Sequence, residues 1–393
     1  MQYRRFGRTE LSMPVFSCGG MRYQQQWQDC APSQIQKENQ ENLEATIHRA
    51  LELGINHIET ARGYGTSEMQ LGQVLPKLPR EKLIIQTKVS PTRNAKDFVA
   101  TFNQSMKYLN LEYVDLLGLH GINTPEILEY SLGPKGCLAA ARQLVKEGRV
   151  RHVGFSTHAP TDVIIKAIDT GLFDYVNLHW YYINQRNWPA IEHATRQDMG
   201  VFIISPSDKG GKLYDPPQRL VDLCQPLSPM AFNDLFCLNH PQVHTLSLGA
   251  SRTGDFDEHL KVLSLLDQAD AILPAIISRL EQAMIDALGE SWVKTWEQGL
   301  PPHEATPGNI NIPMLLWLRN LALSYDLVEY GKMRYNLLGN GGHWFPGRNA
   351  VSLQEVDLTE CLARSPHREV IPQFLAEIHA LLGASEVKRL SQE

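Results

Sequence analysis

The chain has 393 residues, 43% hydrophobic and 20% charged, which is ordinary globular usage and enough for a large domain plus a smaller one. Its net charge of −6 comes without a basic stripe, so no nucleic-acid partner is expected. No uninterrupted apolar segment reaches bilayer length, so no membrane span is expected either. The N-terminus MQYRRFGRTELSMPVF lacks the apolar stretch of a secretory signal. Cys18, Cys30, Cys137, Cys224, Cys237 and Cys361 show no C-x-x-C spacing, which reads as free thiols in a cytoplasmic protein.

From the start to about residue 265, short β-branched runs alternate with segments of helical period. The predicted strands are Pro14–Cys18, Ile55–Glu59, Leu83–Lys88, Val114–His120, His152–Ser156, Tyr175–Trp180, Val201–Ser205 and Thr245–Gly249. Amphipathic helices lie between them, including Asn42–Leu53, Lys96–Leu109, Leu138–Lys146 and Thr161–Thr170, with Gly54, Asn110, Gly148 and Gly171 at the stops. Eight βα units in a stretch of about 250 residues predict a (β/α)8 TIM barrel of the α/β class over residues 1–265. Residues 266–393 change character and predict a smaller, mostly α-helical C-terminal domain, with loop signals at Pro301–Pro302, Pro307–Gly308 and Gly339–Gly342. Trp317, Trp344 and Phe345 are expected in its core.

In a parallel barrel the chemistry sits at the C-terminal ends of the strands, where the second, third and fourth runs stop at Glu59, Lys88 and His120. Neighbouring strands are about 4.8 Å apart, so these three side chains are expected in one cluster. Tyr64 follows in the loop ARGYG, whose glycines permit a bend over the mouth. Such a set suits carbonyl reduction: a phenol donates the proton, an ammonium stabilises its phenolate, a carboxylate holds the ammonium, and an imidazole orients the carbonyl. Taken singly, each residue also fits a structural ion pair, a core histidine or a loop aromatic. His57, His120, His152, His158 and His179 near strand ends leave a metal-dependent hydrolase open, although no H-x-H pair occurs and Lys88 would compete with a metal.

The motifs IETARGYGTSE, IIQTKVS, LLGLH and KEGRVRHVGFSTH, in that order, resemble the signatures of the aldo-keto reductases. The resemblance implies a catalytic Tyr64, Lys88 and His120, with Glu59 where the family carries an aspartate. It also implies NADPH lying across the barrel mouth, with no Rossmann motif required. By that resemblance Ser156, Thr157 and Asn177 would hold the carboxamide, and Gly20 and Met21 would lie near the nicotinamide. IISPSDKGGKL implicates Ser205, Ser207 and Lys212 at the pyrophosphate. GASRTGDFDEHL offers Gly249, Ser251 and Arg252 to phosphate, Arg252 favouring the 2′-phosphate of NADPH, and Glu258 and His259 to adenine. The C-terminal stretches TPGNINIPMLL, GHWFPG and SPHREVIPQFL resemble a ferredoxin-like extension, but 266–393 holds only Cys361, so no iron–sulfur cluster is expected. The function these readings imply is reduction of a small carbonyl substrate by NADPH without a metal. The alternative is a catalytically weak NADPH-binding regulatory or scaffold protein, prompted by Glu59 and the cluster-free extension.

Overall fold

The computed structural model describes residues 1–339 and 346–383. Trp344 and Phe345 lie outside the described residues. The chain divides into two compact units, the first made of Met1–Gly210 with Asn233–Ala269, the second of Gly211–Phe232 with the described residues from Asp270 onward.

The first unit opens with an antiparallel hairpin, β1 (Tyr3–Arg5) against β2 (Ser12–Pro14). Eight parallel strands follow: β3 (Phe16–Gly19), β4 (His57–Glu59), β5 (Ile84–Val89), β6 (Val114–His120), β7 (Val150–Ser156), β8 (Tyr175–Leu178), β9 (Gly200–Ile203) and β10 (Thr245–Leu248). They close into a barrel in the order β10-β3-β4-β5-β6-β7-β8-β9, a (β/α)8 TIM barrel. The sequence reading placed the first barrel strand from Pro14; that proline instead ends the hairpin, and pairing in the barrel begins at Phe16.

Helices follow the strands, and the longer ones bury an apolar stripe. In Lys37–Glu52, Leu43, Ile47 and Ala50 recur at helical spacing and are fully buried. Burying a side chain such as Leu43 or Ile47 contributes about 1.5–3 kcal/mol. The stops read from sequence take the left-handed backbone that ends a helix, with φ of 80° at Gly54, 53° at Asn110, 75° at Gly148 and 68° at Gly171. At the N-terminal end of the barrel, Phe6 and Met13 from the hairpin region join Ile84, Leu116, Tyr175 and Phe202 in one apolar cluster. That cluster stoppers the barrel at the end opposite its C-terminal mouth.

The second unit is helical. Ile312–Tyr325, Val328–Tyr335 and Ile371–Leu382 pack on one another. Trp292 donates its indole N–H to Asn320 at 2.9 Å, and the Arg319 guanidinium lies 3.6 Å from the centre of the Phe374 ring. Among the described residues, no helix is long and apolar enough to cross a membrane.

Candidate active site

Alternation along β4, β5 and β6 turns Glu59, Lys88 and His120 to the barrel interior. Lys88 is 1% exposed and Glu59 4%. Its stem runs past Gly118, the register partner of Lys88 on β6, where an added Cβ would stand 3.2 Å from Lys88 Cγ. The small residue therefore clears the path along which the lysine reaches the mouth. There the ammonium contacts Glu59 Oε2, donates to the Thr60 carbonyl at 2.9 Å and donates to the Tyr64 hydroxyl oxygen at 3.3 Å.

Tyr64 is brought over the mouth by a turn that continues the pairing of the sheet: Thr60 N–H donates to Gln86 O, Arg62 N–H to Lys88 O and Tyr64 N–H to Ala61 O. The bend needs Gly65, which has φ +53°; a Cβ there would lie 1.9 Å from the carbonyl oxygen of Gln26. The Tyr64 and His120 rings meet edge to face with centroids 5.8 Å apart. All four predicted catalytic residues thus share one small volume.

Burial works against the Lys88 charge, but Glu59 and then Tyr64 outweigh it and leave the ammonium above its ordinary pKa. For Tyr64 the balance differs from the sequence expectation. Burial raises the phenol and exceeds the lowering by Lys88, so its net direction is upward. His120 is pushed down to about 3 by burial and then by the Lys88 charge, so the imidazole is neutral at physiological pH.

Ser156 is the register partner of both His120 and Asn177, which sets these three side by side along β6, β7 and β8. The Thr157 hydroxyl is already engaged, donating to Ile122 O at 2.7 Å and accepting from Ala159 N at 2.9 Å. Ser156 Oγ accepts from Gly121 N at 3.2 Å. Asn177 is fully buried, yet neither its amide oxygen nor its amide nitrogen has a hydrogen-bond partner. A buried primary amide with both ends unmatched fits a ligand that offers a donor and an acceptor together, which a nicotinamide carboxamide does.

The other predicted cofactor positions are spread more widely. Gly20 donates its N–H to Glu59 O at 2.7 Å, and Met21 follows it part-exposed. Ser205 adopts the left-handed backbone at φ 55°, and Ser207 is part-exposed in the short helix Pro206–Lys209. Lys212 belongs to the second unit and pairs with Asp215 at 2.6 Å. After β10, Gly249 O accepts from Arg22 at 2.7 Å, while Asp255 accepts from Ser251 N and Oγ at 2.8 Å each and from Arg252 Nε at 3.0 Å. Glu258 pairs with Lys261 at 2.5 Å. His259 is buried against Asp234 at 2.5 Å and against the Phe16 ring.

Two features of the mouth had no separate signal in the sequence. Ser247 on β10 donates to Glu59 Oε1 at 3.0 Å; the inward alternation of Thr245 and Ser247 was its only trace. Lys209 lies 2.9 Å from His158 Nε2 and 3.3 Å from His179 Nε2, so an ammonium stands where those imidazoles converge. Among the described residues, no group of three or more His, Cys, Asp or Glu side chains is arranged to hold a metal.

Residues 16–207 match the model of the Aldo/keto reductase family. Over 180 residues the chain is 30% identical to L-galactose dehydrogenase of Arabidopsis thaliana, covering 42% of this chain and 55% of that protein. Over 176 residues it is 27% identical to L-glyceraldehyde 3-phosphate reductase of Escherichia coli K12, covering 41% and 46%. The matched stretch therefore spans about half the length of these relatives. In fold, the chain is similar to the holo form of an aldo-keto reductase from Bacillus halodurans, with TM-score 0.60, 19% identity, 71% of this chain and 96% of that one covered. The stretch 16–207, just under half of the chain, is thus similar to the Aldo/keto reductase family.

Proposed function

We propose that the chain is an oxidoreductase that reduces an aldehyde or ketone to an alcohol with NADPH as reductant and Tyr64 as the general acid. The observation that carries this reading is the contact of the Lys88 ammonium with both Glu59 and the Tyr64 hydroxyl oxygen at the C-terminal end of the barrel strands.

A reduced nicotinamide, when bound, supplies hydride to the carbonyl carbon. Asn177, with its unmatched amide, would hold the carboxamide and so orient the ring. Because Lys88 donates to the phenolic oxygen, the Tyr64 hydrogen is left to point elsewhere, and it is delivered to the carbonyl oxygen as negative charge builds there. The raised pKa keeps the phenol protonated in neutral solution, and Lys88 then stabilises the phenolate left behind. Neutral His120 donates an N–H to the same oxygen and fixes the direction from which the carbon is approached.

NADPH is favoured over NADH by Arg252. Asp255 grips its Nε edge while the side chain remains 78% exposed, so the outer edge of the guanidinium is turned to water where a 2′-phosphate can meet it. The relatives' names, with L-galactose and L-glyceraldehyde 3-phosphate, support a small hydroxylated carbonyl compound as substrate. The helical second unit would be a ferredoxin-like extension without a cluster, and the free thiols fit a cytoplasmic setting.

Titration of the protein's fluorescence with NADPH and NADH, followed by an aldehyde panel on the same sample, tests the reading. Micromolar binding and turnover are expected. Tight binding with no turnover across the panel would instead establish the regulatory alternative, which the glutamate at position 59 favours.

A further inference from the structure

The contact between Ser247 and Glu59 is built by three strands, and its parts fit one another. Gly19 on β3 is the register partner of Glu59 on β4, and β10 pairs with the other side of β3. Ser247 reaches past β3 to donate to Glu59 Oε1 at 3.0 Å. It can do so only because position 19 has no side chain. A Cβ there would stand 2.7 Å from Ser247 Oγ and 3.2 Å from Glu59 Oε1, closer than real Cβ atoms come to the first and tight against the second.

The glutamate is thereby tied at both oxygens, Oε2 to Lys88 and Oε1 to Ser247. This matters because a glutamate has one more rotatable bond than an aspartate and can swing its carboxylate out of line. The ammonium's reach to Tyr64 depends on where that carboxylate stands. A hydroxyl donor on the far oxygen removes the freedom, at a buried position where Ser247 itself is only 7% exposed.

We propose that Ser247 is a positioning residue of the active site: acting through the gap left by Gly19, it fixes the Glu59 carboxylate and hence the aim of Lys88 at Tyr64. The inference rests on the reductase reading for its kinetic consequence and on geometry alone for its structural one.

The test compares Ser247→Ala and the isosteric Ser247→Cys, a poor donor, in the wild-type and Glu59→Asp backgrounds. In the wild-type background kcat is expected to fall roughly 10- to 100-fold, with the KM for the carbonyl and the Kd for NADPH unchanged. In the Glu59→Asp background the shorter carboxylate no longer extends to the serine, so the same replacements should alter kcat by less than about twofold. Equal losses in both backgrounds, or a parallel rise in KM, would mark a merely structural role and overturn the proposal.

Crystal structures of wild type and Ser247→Cys decide the point independently of turnover. Glu59 rotated and the Lys88 to Tyr64 separation lengthened supports the proposal; an unmoved quartet sinks it. Should the wild-type protein reduce no carbonyl at all, the reductase reading fails, and these structures alone still decide whether Ser247 holds Glu59.

Discussion

Lys88 Nζ stands 3.3 Å from the Tyr64 hydroxyl oxygen and 4.7 Å from the centre of the same ring, so one ammonium addresses both the polar end and the π face of the phenol. The phenolate is the form that gains most from this placement. The phenol is therefore the group whose loss should be felt in turnover and nowhere else. Tyr64→Phe keeps the ring, its edge-to-face contact with His120 and the ammonium over its face, and removes the hydroxyl, both the proton and the oxygen that accepts from Lys88. We expect kcat to fall roughly 10²- to 10⁴-fold with NADPH affinity unchanged, read by steady-state kinetics and fluorescence titration. Retention of half the activity would remove Tyr64 from the acid role.

The Lys88–Glu59 pair has side-chain exposures of 1% and 5%, so neither charge has water to fall back on. Removing one partner leaves the other buried and uncompensated. Lys88→Met is expected to destabilise the fold by about 3–5 kcal/mol in denaturant titrations, and Lys88→Met combined with Glu59→Leu by less than Lys88→Met alone. If the double variant is the less stable of the two, the ion pair is held by something other than mutual neutralisation.

Much of this was legible beforehand, for a physical reason. Ionisable residues stand at or next to the ends of three successive strands, Glu59 closing HIE, Lys88 one residue short of the end of IIQTKV and His120 closing VDLLGLH, and that shared position marks the mouth although His57, Gln86, Thr87 and Asp115 also interrupt the runs. Side-chain alternation then puts them on one face. The hairpin Tyr3–Arg5 and Ser12–Pro14 was not legible, because three-residue strands, here YRR and SMP, are too short to show a period. Nor was the contact of Ser247 with Glu59, which spans 188 residues and exists only once β10 has closed the barrel beside β3. The upward direction of the Tyr64 pKa was likewise hidden, since it depends on how much water the folded mouth excludes.

His57 offers a stability measurement with a definite sign. It is fully buried, bonded through Nδ1 to Ser17 Oγ at 2.6 Å, and pushed down to about 3 by burial and by the Lys88 charge. In the unfolded chain the same imidazole takes a proton near pH 6.5. Between those values the unfolded state binds a proton that the folded state refuses, so stability is full above 6.5 and drains away as pH falls toward 3. The contribution is about 1.4 kcal/mol per pH unit. His57→Gln should flatten the acid side of a melting-temperature profile between pH 6.5 and 4; an unchanged slope would contradict the buried neutral state.

On the proposed reading, Arg252 separates the two nicotinamide dinucleotides through a charge directed at a group that only NADPH carries, so Arg252→Ala should weaken NADPH roughly 10- to 100-fold and leave NADH untouched. Equal weakening of both would place Arg252 at the shared pyrophosphate.

Asn177 is where function and stability are expected to move in opposite directions. Its side chain is buried with both amide atoms unmatched, an arrangement that costs the empty protein the desolvation of a primary amide. A leucine of similar volume escapes that cost, so Asn177→Leu should melt at the same temperature as wild type or higher. If the amide is kept for the carboxamide of the nicotinamide, the same variant loses two hydrogen bonds on binding, and NADPH affinity should drop about tenfold. Calorimetric melting with and without NADPH reads both effects in one experiment: the empty variant gains or holds its melting temperature while the upward shift caused by NADPH shrinks. A variant that melts lower when empty would mean that Asn177 is matched inside the barrel after all. An unchanged NADPH shift would mean that the carboxamide is held elsewhere.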